Sequence, residues 1–160
     1  MAKFTVGKGV DEYLSKLEHL DKVTPGMIGM GIYEGAKIVA DAIRAETEAL
    51  PTQEGKVKEG KRRDPTPEEK QGLLDGLGIS KKKVTDGFVN VKIGFHGYNS
   101  HTTKKYPNGQ PNLMIAASIE RGTTFMNKHS FVSKAIKKSR AQAEQAIADK
   151  IDELLKKEME

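Results

Sequence analysis

The chain reads as an α+β protein: a small antiparallel sheet of two to four strands, packed by two long helices and some shorter ones. Three observations predict this class. Apolar residues recur at helical spacing in a first block that closes at Leu50 and in a second that opens at Phe131. Between the blocks, Phe88-Val89-Asn90-Val91-Lys92-Ile93 alternates in part, the pattern of a strand. The chain has 160 residues, enough for one modest core and too few for two, so a single domain is expected.

Val10, Tyr13, Leu14, Leu17 and Leu20 fall on one face of a first helix, with Asp11 and Glu12 near its positive end. Thr24-Pro25 then reads as the N-cap and first-turn proline of a second helix. That helix should run to about Leu50, where Pro51 stops it, with Ile28, Ile32, Val39, Ala42 and Ile43 as its stripe. Gly29, Gly31 and Gly35 weaken its early turns by about 1 kcal/mol each relative to Ala. Such a cost predicts the close approach of another backbone.

Pro51 to Pro67 has almost no apolar residue and three prolines besides several charges, so it reads as an exposed, mobile loop. A short helix is expected from Glu68 to Gly78, carrying Leu73, Leu74 and Leu77. The strand follows at Val84 to Phe95, with Val89, Val91 and Ile93 on one face. Asp86-Gly87 is a turn signal, which makes Ser80 to Thr85 the other arm of a hairpin. Tyr98 to Gln110 is a polar loop closed by Pro107-Asn108-Gly109.

A short apolar helix from Pro111 ends at Glu120-Arg121-Gly122-Thr123. Gly122 suits a left-handed residue just past the helix end, and Thr123 and Thr124 suit local hydrogen bonding in the loop. Ser130 is placed to cap the last helix through its hydroxyl. That helix should run to Lys157, with Phe131, Ala135, Ala143, Ile147, Ile151 and Leu154 along one stripe. About 27 residues at 1.5 Å each span roughly 40 Å, more than a small domain covers. Its far end is therefore expected to project or to pack against a neighbouring subunit. Glu120 is the odd residue, because a carboxylate late in a helix opposes the dipole and calls for a partner. Arg121 of another subunit or a base of the last helix would serve.

Charge is distributed unevenly around a net +5. From Gly76 to Gln110 the only acid is Asp86, against Lys81, Lys82, Lys83, Lys92, Lys104 and Lys105. Lys128, Lys134, Lys137, Lys138 and Arg140 form a second acid-free zone, after which the stretch from Glu144 turns acidic. Such a pattern suits head-to-tail contact between identical subunits, or a surface facing DNA. Lys56, Lys58, Lys61, Arg62 and Arg63 are the candidate DNA-facing residues. They have no aromatic among them to stack a base, so only nonspecific contact is expected. No apolar run approaches the roughly 18 residues of a membrane span, and the N-terminal stretch lacks a signal peptide's apolar core. With no Cys, disulfides and thiolate metal sites are excluded.

Candidate chemistry is weak throughout. Gly29-Met30-Gly31-Ile32-Tyr33-Glu34-Gly35 is loosely dinucleotide-like, but its third glycine is one place late and no strand precedes it. His96 and His101 have no carboxylate at ligand spacing. Ser100-His101, and His129 with Ser130 or Ser133, lack a nucleophile elbow. No enzyme activity, cofactor or metal is expected.

Taken in order, several short motifs resemble one known family. They are Gly9-Val10-Asp11-Glu12-Tyr13-Leu14, the helix closing in Ala49-Leu50-Pro51, and the split turn Pro51-Thr52-Gln53-Glu54-Gly55 with Gly72-Leu73-Leu74-Asp75-Gly76-Leu77-Gly78-Ile79. Val91-Lys92-Ile93-Gly94-Phe95, Gly97-Tyr98-Asn99, and Ile119-Glu120-Arg121-Gly122-Thr123 followed by Phe131 complete the series. The series resembles the neck and tail-completion proteins of long-tailed phages, the minor tail protein Z-like family. Two positions depart from that pattern: Ser130 stands where a proline commonly precedes the Phe, and Arg121 where an apolar or small residue is usual.

The resemblance implies a structural virion protein of a phage or prophage, joining head to tail or completing the tail. It also implies a homo-oligomeric ring, often of six or twelve copies, assembled in the host cytoplasm. Its partners would be the connector, tail terminator or tail tube, with nonspecific contact to packaged DNA and no membrane. The expected subunit interface comprises Glu120, Arg121, Phe131, Ile147, Ile151 and Leu154. The competing expectation is a basic nucleic-acid-binding or regulatory module.

Overall fold

The computed structural model describes residues 8–160, except the side chains of residues 8–11, 13 and 14. Val10, Tyr13 and Leu14 of the expected first stripe therefore lie outside the described side chains. The described chain is α+β, with four helices, two of them long, and two small antiparallel sheets of two strands each.

The first two expected helices are one. Helix α1 runs unbroken from Lys8 to Glu48 with Pro25 inside it, so the expected helix start at Thr24-Pro25 does not exist. Pro25 has no N–H to return to the carbonyl four residues back, a defect worth about 3 kcal/mol inside a helix. Thr24 does not cap; its hydroxyl donates to the Leu20 carbonyl of the same helix. What holds the helix together through this point is its neighbour. Helix α4, Phe131–Met159, runs antiparallel along α1. Lys134 and Lys138 meet Glu46 at one end of the pair, and His19 meets Glu158 at 2.7 Å at the other. Two of the three glycines explain the closeness. A Cβ on Gly35 would lie 2.6 Å from the Ile147 side chain and 3.1 Å from the Ala143 carbonyl. On Gly31 it would lie 2.8 Å from Ile151 and 3.2 Å from the Ile147 carbonyl. Gly29 instead makes room for the Lys82 stem.

The far end of α4 therefore does not project alone, because its apolar stripe is covered by α1. What extends from the body is a helical pair. At 1.5 Å per residue, the 41 residues of α1 span about 60 Å.

Helix α2, Pro67–Gly76, stops two residues before the expected Gly78 because the next residues are strand. Strand β1, Leu77–Ile79, pairs with β4, Ile93–Phe95, and β2, Lys83–Thr85, pairs with β3, Phe88–Asn90. All four form one long hairpin with a fault in the middle. The register places Ile79 opposite Ile93 and Lys83 opposite Asn90, so three residues on one side face two on the other. This is the count of a bulge, and it splits the single strand expected from Val84 to Phe95 at Val91-Lys92. Ser80 bridges the fault: its N–H donates to Lys92 O and its hydroxyl accepts the Lys92 N–H, both at 2.8 Å. The predicted turn is present, with φ of 51° at Asp86 and 79° at Gly87, the conformation of a tight hairpin turn.

Helix α3, Asn112–Arg121, lies between the hairpin's root and α4. The core sits at this end of the molecule. Ile43, Leu73, Ile115, Ile119, Met126 and Phe131 are buried together there, with the Phe95 and Phe131 rings 5.9 Å apart.

Candidate functional site

The α3–α4 junction supplies Glu120 with its partner. Gly122 has the expected positive φ of 73°, but its ψ of 156° sends the chain out extended rather than into a left-handed helical turn. Its N–H closes on Ser118 O at 2.9 Å, and Thr123 Oγ1 accepts the Met126 N–H at 3.0 Å. The chain then returns so that α4 begins beside the end of α3. There the Glu120 carboxylate accepts the backbone N–H groups of Val132, at 2.9 Å, and Ser133, at 3.1 Å, and the Ser133 hydroxyl. Glu120 is thus the cap of α4, supplied from another helix. It opposes the dipole of α3 while completing that of α4. The expected cap, Ser130, makes no side-chain capping bond.

Arg121, by contrast, is exposed and takes part in no ion pair or side-chain hydrogen bond among the described residues. It stands at the rim of an open apolar groove of about 210 Å³. Ile43, Leu77, Ile93, Phe95, Ala116 and Val132 wall this groove, and Leu113, 64% exposed, stands on its edge. One turn beyond Val132, Ile136 is also exposed.

The other expected interface residues are wholly or partly buried within the chain. Phe131, at 3% exposure, is a core residue with no surface to offer a neighbour. Ile147 and Ile151 pack on the glycine face of α1, and Leu154 is half-buried. Of the six, Arg121 is the exposed one among the described residues.

The basic loop divides in the same way. Lys56, Lys58, Lys61 and Arg62 are exposed. Arg63 differs: it is turned to the body, where it makes two 2.8 Å bonds to the carboxylate of Glu69, which is 1% exposed. Burial pushes the Glu69 carboxyl up, but the bonds from Arg63 and the Thr66 N–H outweigh it, leaving it below its ordinary value. Glu69 and Thr66 also form a capping box for α2. The Thr66-Pro67-Glu68-Glu69 spacing carries that signal in the sequence. Next to it, Asp64 pairs with His129 at 2.8 Å and accepts from Asn127 at 2.9 Å, and these bonds hold its carboxyl below its ordinary value. The Arg63 N–H donates to Phe125 O, and the Asn127 N–H to Arg63 O. Residues 63–66 therefore belong to the body, and the expected free loop ends before them.

The serine and histidine candidates separate. His129 turns to Asp64 while Ser133 turns to Glu120, and Ser100 donates to Glu68. His96 contributes its carbonyl, which accepts from Asn112 Nδ2 at 3.0 Å. No group of three or more His, Cys, Asp or Glu able to hold a metal occurs among the described residues. Within the same limits no helix is long and apolar enough to cross a membrane. The chain matches no protein-family model, no curated protein and no solved structure.

Proposed function

We propose that the chain is a structural protein of a tailed phage or prophage particle, a ring-forming neck or tail-completion component at the head–tail junction. The observation that carries this reading is the surface around the α3–α4 junction. An apolar groove with an unpaired arginine on its rim lies open on a chain that also exposes Phe88 and Phe125. An open apolar groove, on a chain that also exposes large aromatic side chains, supports a subunit whose burial is completed by neighbours. The ordered series of short motifs ending in Ile119-Glu120-Arg121-Gly122-Thr123 supports the same assignment.

In this reading the α1–α4 pair is a rigid spacer, and the body carries the contacts to like subunits and to connector, tail terminator or tail tube. The exposed Lys56, Lys58, Lys61 and Arg62 face packaged DNA and meet its phosphates without reading sequence.

Deleting residues 143–160 removes the far part of α4, including the Ile147 and Ile151 side chains that meet the glycine face of α1. Particles from such a deletion should lack joined tails, and fully infectious particles would count against the proposal. The same basic residues favour the rival, a nucleic-acid-binding or regulatory module. Strong, salt-sensitive DNA binding by the isolated monomer, with no place in a particle, would favour that rival.

A further inference from the structure

We infer that the chain self-associates head to tail, with the hairpin tip of one copy seated in the apolar groove of the next. The inference rests on the assembly reading above and names its contact. Among the described residues Phe88 is the most exposed large apolar side chain, at 76%. It pairs with Thr85 across the hairpin, so it stands on the same face as Lys83 and Asn90, away from Val84 and Val89. Two residues before it is Asp86, the one acid between Gly76 and Gln110, and it too has no ion-pair partner among the described residues.

The groove has the complementary features: apolar walls, about 210 Å³ of space, and unpaired Arg121 at the edge, beside a Glu120 whose carboxylate is held by the N–H groups that open α4. Phe88 in the groove and Asp86 on Arg121 would satisfy both sites at once.

The contact must be between copies. The groove is lined by Leu77, Ile93 and Phe95, the root of the same hairpin. From Ile93 to Phe88 the strand advances about 16 Å, at 3.3 Å per residue, so a tip cannot enter its own groove. Tip and groove are different surfaces, so in the head-to-tail arrangement each copy uses both, one toward each neighbour, and the contact is heterologous. Such contacts close into rings or run on as filaments.

Sedimentation velocity on the full chain at rising concentration tests this. Phe88→Ser, Asp86→Arg and Arg121→Asp alter exposed side chains, and unchanged circular dichroism and Tm would show that each variant still folds. Each should weaken self-association about tenfold or more, and the Asp86→Arg/Arg121→Asp double variant should regain it. Phe88→Ser, with an intact groove, mixed with Leu113→Arg, with an intact tip, should stop at a heterodimer. Wild-type association that all the variants leave unchanged overturns this contact while leaving ring assembly standing. A wild-type chain that stays monomeric throughout also overturns it, whereas the assembly reading is decided separately by the chain's presence in particles.

Discussion

The Glu120 carboxylate accepts the Val132 backbone N–H at 2.9 Å, so the last residues of α3 cap the first turn of α4. The neighbouring bond to the Ser133 N–H, at 3.1 Å, satisfies a second of the free donors at that helix start. Removing the carboxylate should therefore cost what a good cap is worth. Glu120→Ala is expected to destabilise the fold by about 1–2 kcal/mol, a fall in Tm of roughly 3–6 °C for a chain of this size. Ser130→Ala should change stability by less than about 0.5 kcal/mol, because its hydroxyl caps nothing. Thermal melts of the two variants side by side check the assignment, and the reverse ranking would refute it.

Helix propensity and packing make opposite demands at the glycines of α1. A methyl group on Gly26 would have nothing within 4 Å of it, so Gly26→Ala should stabilise by about 0.5–1 kcal/mol. Gly35→Ala places its Cβ 2.6 Å from Ile147 and 3.1 Å from a carbonyl of α4. The same propensity gain should there be outweighed by overpacking of about 1–3 kcal/mol. Urea unfolding of both variants tests the tight seam between α1 and α4. Equal stabilisation by the two would mean that the seam is loose.

Glu69 and Asp64 give the fold a definite acid limit. Both carboxyls are held below their ordinary values, Glu69 by Arg63 and the Thr66 N–H against the effect of burial, Asp64 by His129 and Asn127. Each therefore contributes stability that is complete above the unfolded-state pKa and is lost as pH falls through the folded-state value. The loss falls below the usual carboxylate range, near about 4. Glu69→Gln should flatten the acid limb of a stability–pH profile measured by urea unfolding. Arg63→Ala should be far more damaging, about 3–5 kcal/mol at neutral pH, because it strands a buried carboxylate.

Lys56, Lys58, Lys61 and Arg62 carry the DNA-facing part of the proposal. Replacing all four with Gln should leave Tm nearly unchanged, since none supports the body. The salt dependence of nonspecific DNA binding should flatten by roughly 0.9 in log–log slope for each phosphate that is no longer neutralised. An unchanged slope would move DNA contact to another surface.

The elements are legible in the sequence where the signal is local. The hairpin turn at Asp86-Gly87 and the glycine closing α3 follow from backbone chemistry within a few residues, and both stand at the expected positions. The features that differ depend on distant partners. Pro25 reads as a helix start because a proline defect is visible locally, while the α4 packing that carries α1 past it is not. Ser130 reads as a cap because its rival, Glu120, lies on another helix. Arg63 sits in a run of bases and is distinguished only by buried Glu69, whose capping-box spacing with Thr66 is the available clue. At the candidate surface, Arg121 is legible as a charge without a partner. The apolar groove beside it is not, since its walls come from five separate elements.

Immunogold labelling of purified tailed particles from the source host, with antibody raised against this chain, tests the central claim most directly. The account predicts label confined to the junction between head and tail, together with the chain's peptides in the mass spectrum of those particles. Particles with joined tails and no trace of the chain, by label or by peptide, would contradict it.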